Sequence, residues 1–127
     1  MRRPNPLRKE LSMEKLLRVT EKMYQQIQSL RKQYGWLDST YNTHRIFERG
    51  LDILERKKSD NEKAFFCQNV LQVIRKTPKS VYLKMYLSPE QHWDRYIQLY
   101  RAWLPMCKLT INSVFIVGLM NFRKKKS

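Results

Sequence analysis

Apolar residues step along the first third of the chain by threes and fours, at Met13, Leu16, Thr20, Met23, Ile27, Leu30 and Tyr34. Leu17 and Tyr24 widen that stripe. The period predicts a long amphipathic helix over 13–34, capped by Ser12 and ended before Gly35. Glu14 in its first turn suits the positive end of the helix dipole. The seam resembles a short heptad repeat. With a Thr in it, it favours packing inside a bundle, and self-association through 13–34 is the second option.

A polar turn at 36–42 separates this from a second helix with Ile46, Phe47, Gly50, Leu51 and Leu54 on its inner side. Gly50 costs a helix interior about 1 kcal/mol against Ala, so its presence predicts close approach of a neighbour. After the basic run Arg56-Lys57-Lys58, the stretch Ser59-Asp60-Asn61-Glu62 spells a capping box. It opens a third helix with Phe66, Val70, Val73 and Ile74 on one side, closing at Arg75-Lys76. Thr77-Pro78 and Ser88-Pro89 then read as two further helix starts, with Gln91 placed to complete the second cap. They predict a short helix over 78–87 carrying Val81, Tyr82 and Met85, and a longer one over 89–104. The latter carries Trp93, Tyr96, Ile97, Tyr100 and Leu104 and stops at Pro105.

Leu109 to Phe122 holds no charged residue, and Arg123-Lys124-Lys125-Lys126 follows it. Fourteen residues rise only about 21 Å as a helix, short of the roughly 30 Å hydrocarbon slab. The first reading is a central core helix. A membrane-interface segment held by the basic tail is the alternative, and Val114, Ile116 and Val117 leave a strand open. Together these elements predict an all-α fold, a compact helical bundle of about five to six helices with a basic N-terminal arm. Residues 1–11 read as that flexible arm, 12–122 as one helical domain, and 123–127 as a basic tail.

Charge changes the picture more than composition does. The 127 residues carry a formal +15 with a pI near 10.1, which favours nucleic acid, anionic membrane or an acidic protein surface as partner. Candidate polyanion contacts are Arg2, Arg3, Arg8 and Lys9 in the arm and Arg123, Lys124, Lys125 and Lys126 in the tail. The scattered Lys15, Arg18, Lys22, Arg31 and Lys32 read equally as a solvated helix face or a phosphate track. Tyr34, Trp36 and Tyr41 beside them read as core before they read as base-stacking groups. Cys67 and Cys107 read as buried free thiols of a reducing compartment. The start Met1-Arg2-Arg3-Pro4-Asn5-Pro6 lacks the apolar core of a secretory signal. An intracellular protein, in cytoplasm or nucleus, is the expectation.

No phosphate-binding glycine loop, paired-glycine fingerprint, nucleophile elbow, zinc-finger spacing or RNA-recognition motif is spelled anywhere. His44 and His92 have no second ligand at metal spacing. Glu90 and Asp94 are explained by a helix start. A Cys107–His92 nucleophile pair has no local signature. The expectation is a non-enzyme with no catalytic residues, no metal and no cofactor.

The run Thr77-Pro78-Lys79-Ser80-Val81-Tyr82-Leu83-Lys84-Met85 resembles the turn and short Leu/Met-rich helix of the C accessory proteins of paramyxoviruses. The close Tyr96-Ile97-Gln98-Leu99-Tyr100-Arg101-Ala102-Trp103-Leu104-Pro105-Met106 is similar to their aromatic-apolar helix, and the likeness spans residues 12–122. The arm here is shorter than the long disordered regions many of those proteins carry. The resemblance implies a nonstructural virulence factor that binds host proteins to blunt interferon signalling. It also implies down-regulation of viral RNA synthesis through the polymerase complex and contact with budding machinery. It brings no catalytic residues. The residues expected to meet a protein partner with an acidic surface are Arg75, Lys76, Lys79, Tyr82, Lys84 and Tyr86. The alternatives are a basic helical nucleic-acid-binding protein and a peripheral membrane protein.

Overall fold

Two stretches expected to be helical pair instead as strands, and this sets the architecture. The computed structural model describes residues 13–35 and 43–122. Strand β1 (Met13–Val19) runs antiparallel to β2 (Val81–Leu87), with Leu17 opposite Leu83 and Val19 opposite Val81. On the inner face Leu17, Val19, Met85 and Leu87 are fully buried. Glu14, Leu16 and Arg18 point outward, opposite Tyr86, Lys84 and Tyr82. The fold is therefore mostly helical with a small two-stranded sheet, not all-α.

The alternation was disguised by Lys15, which holds an inward position. Its ammonium lies 4.4 Å from the centre of the Trp93 ring, so the aliphatic stem covers core surface while the charge is met by the aromatic face. Thr20, expected inside a long seam, is the N-cap of a shorter helix. Its hydroxyl accepts from Met23 N at 3.0 Å, opening α1 (Glu21–Tyr34) with Ile27 and Leu30 buried. That helix ends at Gly35, whose φ of 65° is the left-handed geometry glycine supplies. Self-association through a continuous 13–34 helix has no such helix to use.

Helix α2 (His44–Glu55) buries Ile46, Phe47, Gly50, Leu51 and Leu54, the face expected. Ser59 and Glu62 form the predicted capping box. They open a helical run of α3 (Asp60–Phe66), a π-helical stretch (Cys67–Leu71) and α4 (Gln72–Lys76). The wide turn shifts the helical phase by one residue. Leu71 and Ile74 therefore face inward while Val73 is exposed, which corrects the expected stripe. Thr77-Pro78 ends this run and does not start another. Thr77 N and its hydroxyl both reach Val73 O, and β2 follows where a helix over 78–87 was expected.

Ser88 caps the next helix through Gln91 N at 3.2 Å. A π-helical turn (Pro89–Trp93) leads into α5 (Asp94–Trp103). Its buried line is His92, Tyr96, Leu99 and Trp103, rotated from the predicted Trp93–Leu104 stripe by that turn, and the helix stops before Pro105 as expected. Helix α6 (Ile111–Phe122) is buried continuously from Ser113 to Leu119. It runs antiparallel to α2 through the centre of the molecule, Gly50 against Val114 and Gly118 against Ile46. The core-helix reading of 109–122 is the observed one, and among the described residues no helix is long and apolar enough to cross a membrane.

The arm (1–11), Ser12, Trp36, Tyr41 and the rest of the 36–42 turn, and the tail (123–127) lie outside the described residues. So do the expected polyanion contacts Arg2, Arg3, Arg8, Lys9, Arg123, Lys124, Lys125 and Lys126.

Candidate functional site: a basic groove at the sheet corner

Where α4 turns into β2, the chain passes beside the end of β1 and the start of α6. The junction is held by Asn112, whose carboxamide accepts from Arg18 N at 2.7 Å and donates to Arg18 O at 2.9 Å. One side chain thus satisfies both backbone groups at a free sheet edge. The corner leaves a groove of about 530 Å³ lined by Leu16, Arg18, Arg75, Lys76, Lys79, Thr110 and Asn112, with Thr77 and Pro78 closing one end.

Four of these side chains are cations, and no carboxylate lines the groove. Arg75 and Lys76 are exposed and make no ion pair among the described residues. Lys79 is fixed. Its ammonium donates to Ile74 O and Thr77 O, both at 2.7 Å, which neutralises the carbonyl end of α4. Burial pulls the Lys79 pKa below its ordinary value, and the charge of Arg18 adds to that shift. The Arg18 guanidinium in turn lies 5.7 Å from the centre of the Tyr82 ring. The opening turn of α6 completes the wall. Thr110 caps it by accepting from Ser113 N at 3.0 Å, and the N–H groups of Ile111 and Asn112 precede the first intrahelical bond.

Of the residues expected to meet a partner, Arg75, Lys76 and Lys79 share this groove, and Tyr82 stands beside it, 58% exposed. Lys84 lies further along the outer sheet face, 3.5 Å from Glu14. Tyr86 is a correction: it is only 5% exposed, so it is no surface anchor. Arg18 is the residue sequence reasoning placed wrongly, on a helix face. Only the β1–β2 pairing brings it to Lys79, and no local signal carries that pairing.

A second cluster joins residues that sequence spacing kept apart. His44 and Glu48 on α2 and the fully buried His92 hold ligand-type atoms within 4.8 Å of one another. The hydrogen bonding decides its chemistry. Ser88 N donates to His92 Nδ1 at 2.9 Å, so in the neutral ring the hydrogen sits on Nε2, which meets Glu48 Oε2 at 2.6 Å. A nitrogen carrying that hydrogen has no lone pair for a metal. The ring instead ties the start of the α5 run to α2. It takes over the Ser88 N–H that Gln91 was expected to reach. Arg95 repeats the tie one turn on, with Nη2 at 2.7 Å from Glu55 and 2.9 Å from Asp52.

The bond from His92 holds the Glu48 carboxyl below its ordinary 4.5, against the opposing effect of burial. A depressed carboxylate stabilises the fold fully above its unfolded pKa and loses that contribution as pH falls through the folded one. Urea stability is therefore expected to fall on acidification below about pH 4.5. In Glu48→Gln, which keeps an acceptor for Nε2–H, the decline should be measurably shallower. Equal slopes in the two proteins would contradict the pairing.

Cys67 and Cys107 also meet. Burial, then the hydrogen bond between the two thiols, pushes Cys67 up to about 12, which keeps it a thiol at neutral pH. Cys107 thus partners Cys67, and both ring nitrogens of His92 are engaged elsewhere. No family model, curated protein or solved structure matches the chain.

Proposed function

We propose that the protein is a binding factor that acts by docking the basic groove and the adjoining outer sheet face onto an acidic surface of a partner protein. One observation carries this. Four cations converge without a carboxylate beside two exposed apolar side chains, Leu16 (62%) and Tyr82 (58%). Charge gives orientation and association rate, and the desolvated aromatic and aliphatic groups give affinity. The resemblance to paramyxoviral C accessory proteins supports the same reading and extends it. In that extension the partners are host proteins of interferon signalling and the viral polymerase complex, met inside the host cell, and no reaction is catalysed.

The nucleic-acid alternative is separable by experiment. Tagged full-length protein and Arg75→Glu/Lys76→Glu are used for affinity capture from host-cell lysate with nuclease present. The expected result is a set of acidic proteins that survives nuclease and is lost with the charge reversal. Identical sets from both proteins, or a set that disappears with nuclease, would overturn the proposal.

A further inference from the structure

We infer that the groove between β1, the α4–β2 turn and the start of α6 is a phosphoryl site, taking a phosphorylated serine or threonine of the partner. The inference rests on the protein-binding reading above and specifies the chemistry of what enters.

The charge balance comes first. Arg18, Arg75, Lys76 and Lys79 face one short groove. A single carboxylate would offset one of them and offer two acceptor oxygens. A phosphate monoester carries about −1.5 to −2 at neutral pH and three strong acceptor oxygens. That matches an array of two guanidinium forks and two ammonium groups. The second point is preorganisation. Lys79 is held by two carbonyls, Arg18 is stacked on Tyr82, and the backbone of Arg18 is clamped by Asn112. A dianion would relieve the mutual repulsion of Arg18 and Lys79 without an ordering cost for either. The third is the floor: the N–H groups at the start of the twelve-residue α6 add the positive end of a helix dipole to the same groove.

A phosphorylated protein fits better than a nucleic-acid strand. The cations are confined to one corner, and the outer sheet face leading from it carries Leu16 and then the Glu14 carboxylate. A continuous phosphate backbone crossing that face would meet an apolar side chain and a negative charge. A peptide with an apolar residue near its phosphate would meet Leu16 and Tyr82.

The test is fluorescence anisotropy with the full chain and a labelled nonapeptide bearing one central phosphoserine with leucine nearby. Its unphosphorylated and glutamate-substituted forms and a short single-stranded oligonucleotide serve as comparisons. The phosphopeptide is expected to bind at least about tenfold tighter than either other peptide. Arg75→Ala/Lys76→Ala, exposed positions whose loss should leave the melting curve unchanged, should weaken it by about tenfold or more. Arg56→Ala/Lys58→Ala at the far end of α2 should not. If glutamate and phosphoserine peptides bind equally through Arg75 and Lys76, the phosphoryl assignment falls and the acidic-partner reading stands. If no peptide binds, or the oligonucleotide displaces the phosphopeptide at equal or lower concentration, both fall.

Discussion

Gly118→Ala is expected to destabilise the protein by about 3 kcal/mol or more, beyond the usual range for one added methyl in a core. A Cβ at this position would lie inside the van der Waals envelope of the Ile46 carbonyl oxygen and 2.8 Å from Gly50 N. Both obstacles are backbone atoms of α2, fixed by that helix's own hydrogen bonds, so no rotamer change relieves the clash. The helices must part, and parting them opens gaps along the continuously buried face from Ser113 to Leu119. Gly50 is the mirror of this site. A Cβ there would meet the Val114 carbonyl oxygen and come within 2.9 Å of its carbon. The two glycines, each four residues from the carbonyl its counterpart faces, let the axes cross at backbone contact. With a total stability of roughly 5–15 kcal/mol, a loss of this size is visible directly in urea unfolding. Gly35→Ala is the control. Open space surrounds Gly35, and its positive φ costs an alanine only about 1 kcal/mol. If Gly118→Ala unfolds at nearly the wild-type urea concentration, α2 and α6 do not cross as described.

That crossing was half legible. Gly50 interrupts an otherwise regular helical stripe, and close approach is the physical reason to keep it there. Its partner Gly118 lies in an apolar run too uniform to show a face. The capping residues were legible for the same local reason: Ser59, Ser88, Gly35 and Pro105 act through atoms within a few positions of themselves. What failed was long-range. Seven residues of each strand carry both a helical and an alternating reading, and only their pairing across more than sixty positions decides between them. Lys15 weakened the alternating pattern in β1, and the Thr77-Pro78 stop is spelled much like a start. The two π-helical turns misled differently, since one extra residue per turn rotates everything beyond it.

The groove inherits both outcomes. Arg75, Lys76 and Lys79 are close in sequence and were legible as a cluster. Arg18, Thr110 and Asn112 arrive through β1 and α6, so the groove itself needed the fold. Tyr86 shows the same limit from the other side. Its neighbours Tyr82 and Lys84 share its face of β2, yet burial closes over one end of that face and not the other.

His92→Ala is expected to cost about 3–5 kcal/mol, the range for a large buried side chain whose polar partners are also abandoned. The ring is fully buried and serves two elements at once: Nδ1 receives the Ser88 N–H and Nε2 gives its hydrogen to Glu48. Alanine leaves a cavity between α2 and the start of α5, an unmet backbone donor inside it, and a carboxylate without its nearest donor. Two conservative variants divide these losses. The carboxamide oxygen of His92→Asn reaches the Nδ1 position and can accept from Ser88, while its short stem leaves Glu48 unserved. The carboxamide nitrogen of His92→Gln reaches the Nε2 position and can donate to Glu48, while Ser88 N–H goes unmet. Each should recover on the order of 1 kcal/mol relative to alanine in urea titrations. Only the glutamine variant should retain the extra acid sensitivity that Glu48 confers on the wild type. Were alanine at this position to cost less than about 1 kcal/mol, the ring would not be what joins the two elements. Arg95 on Asp52 and Glu55 would then be the sole polar tie between α5 and α2 among the described residues.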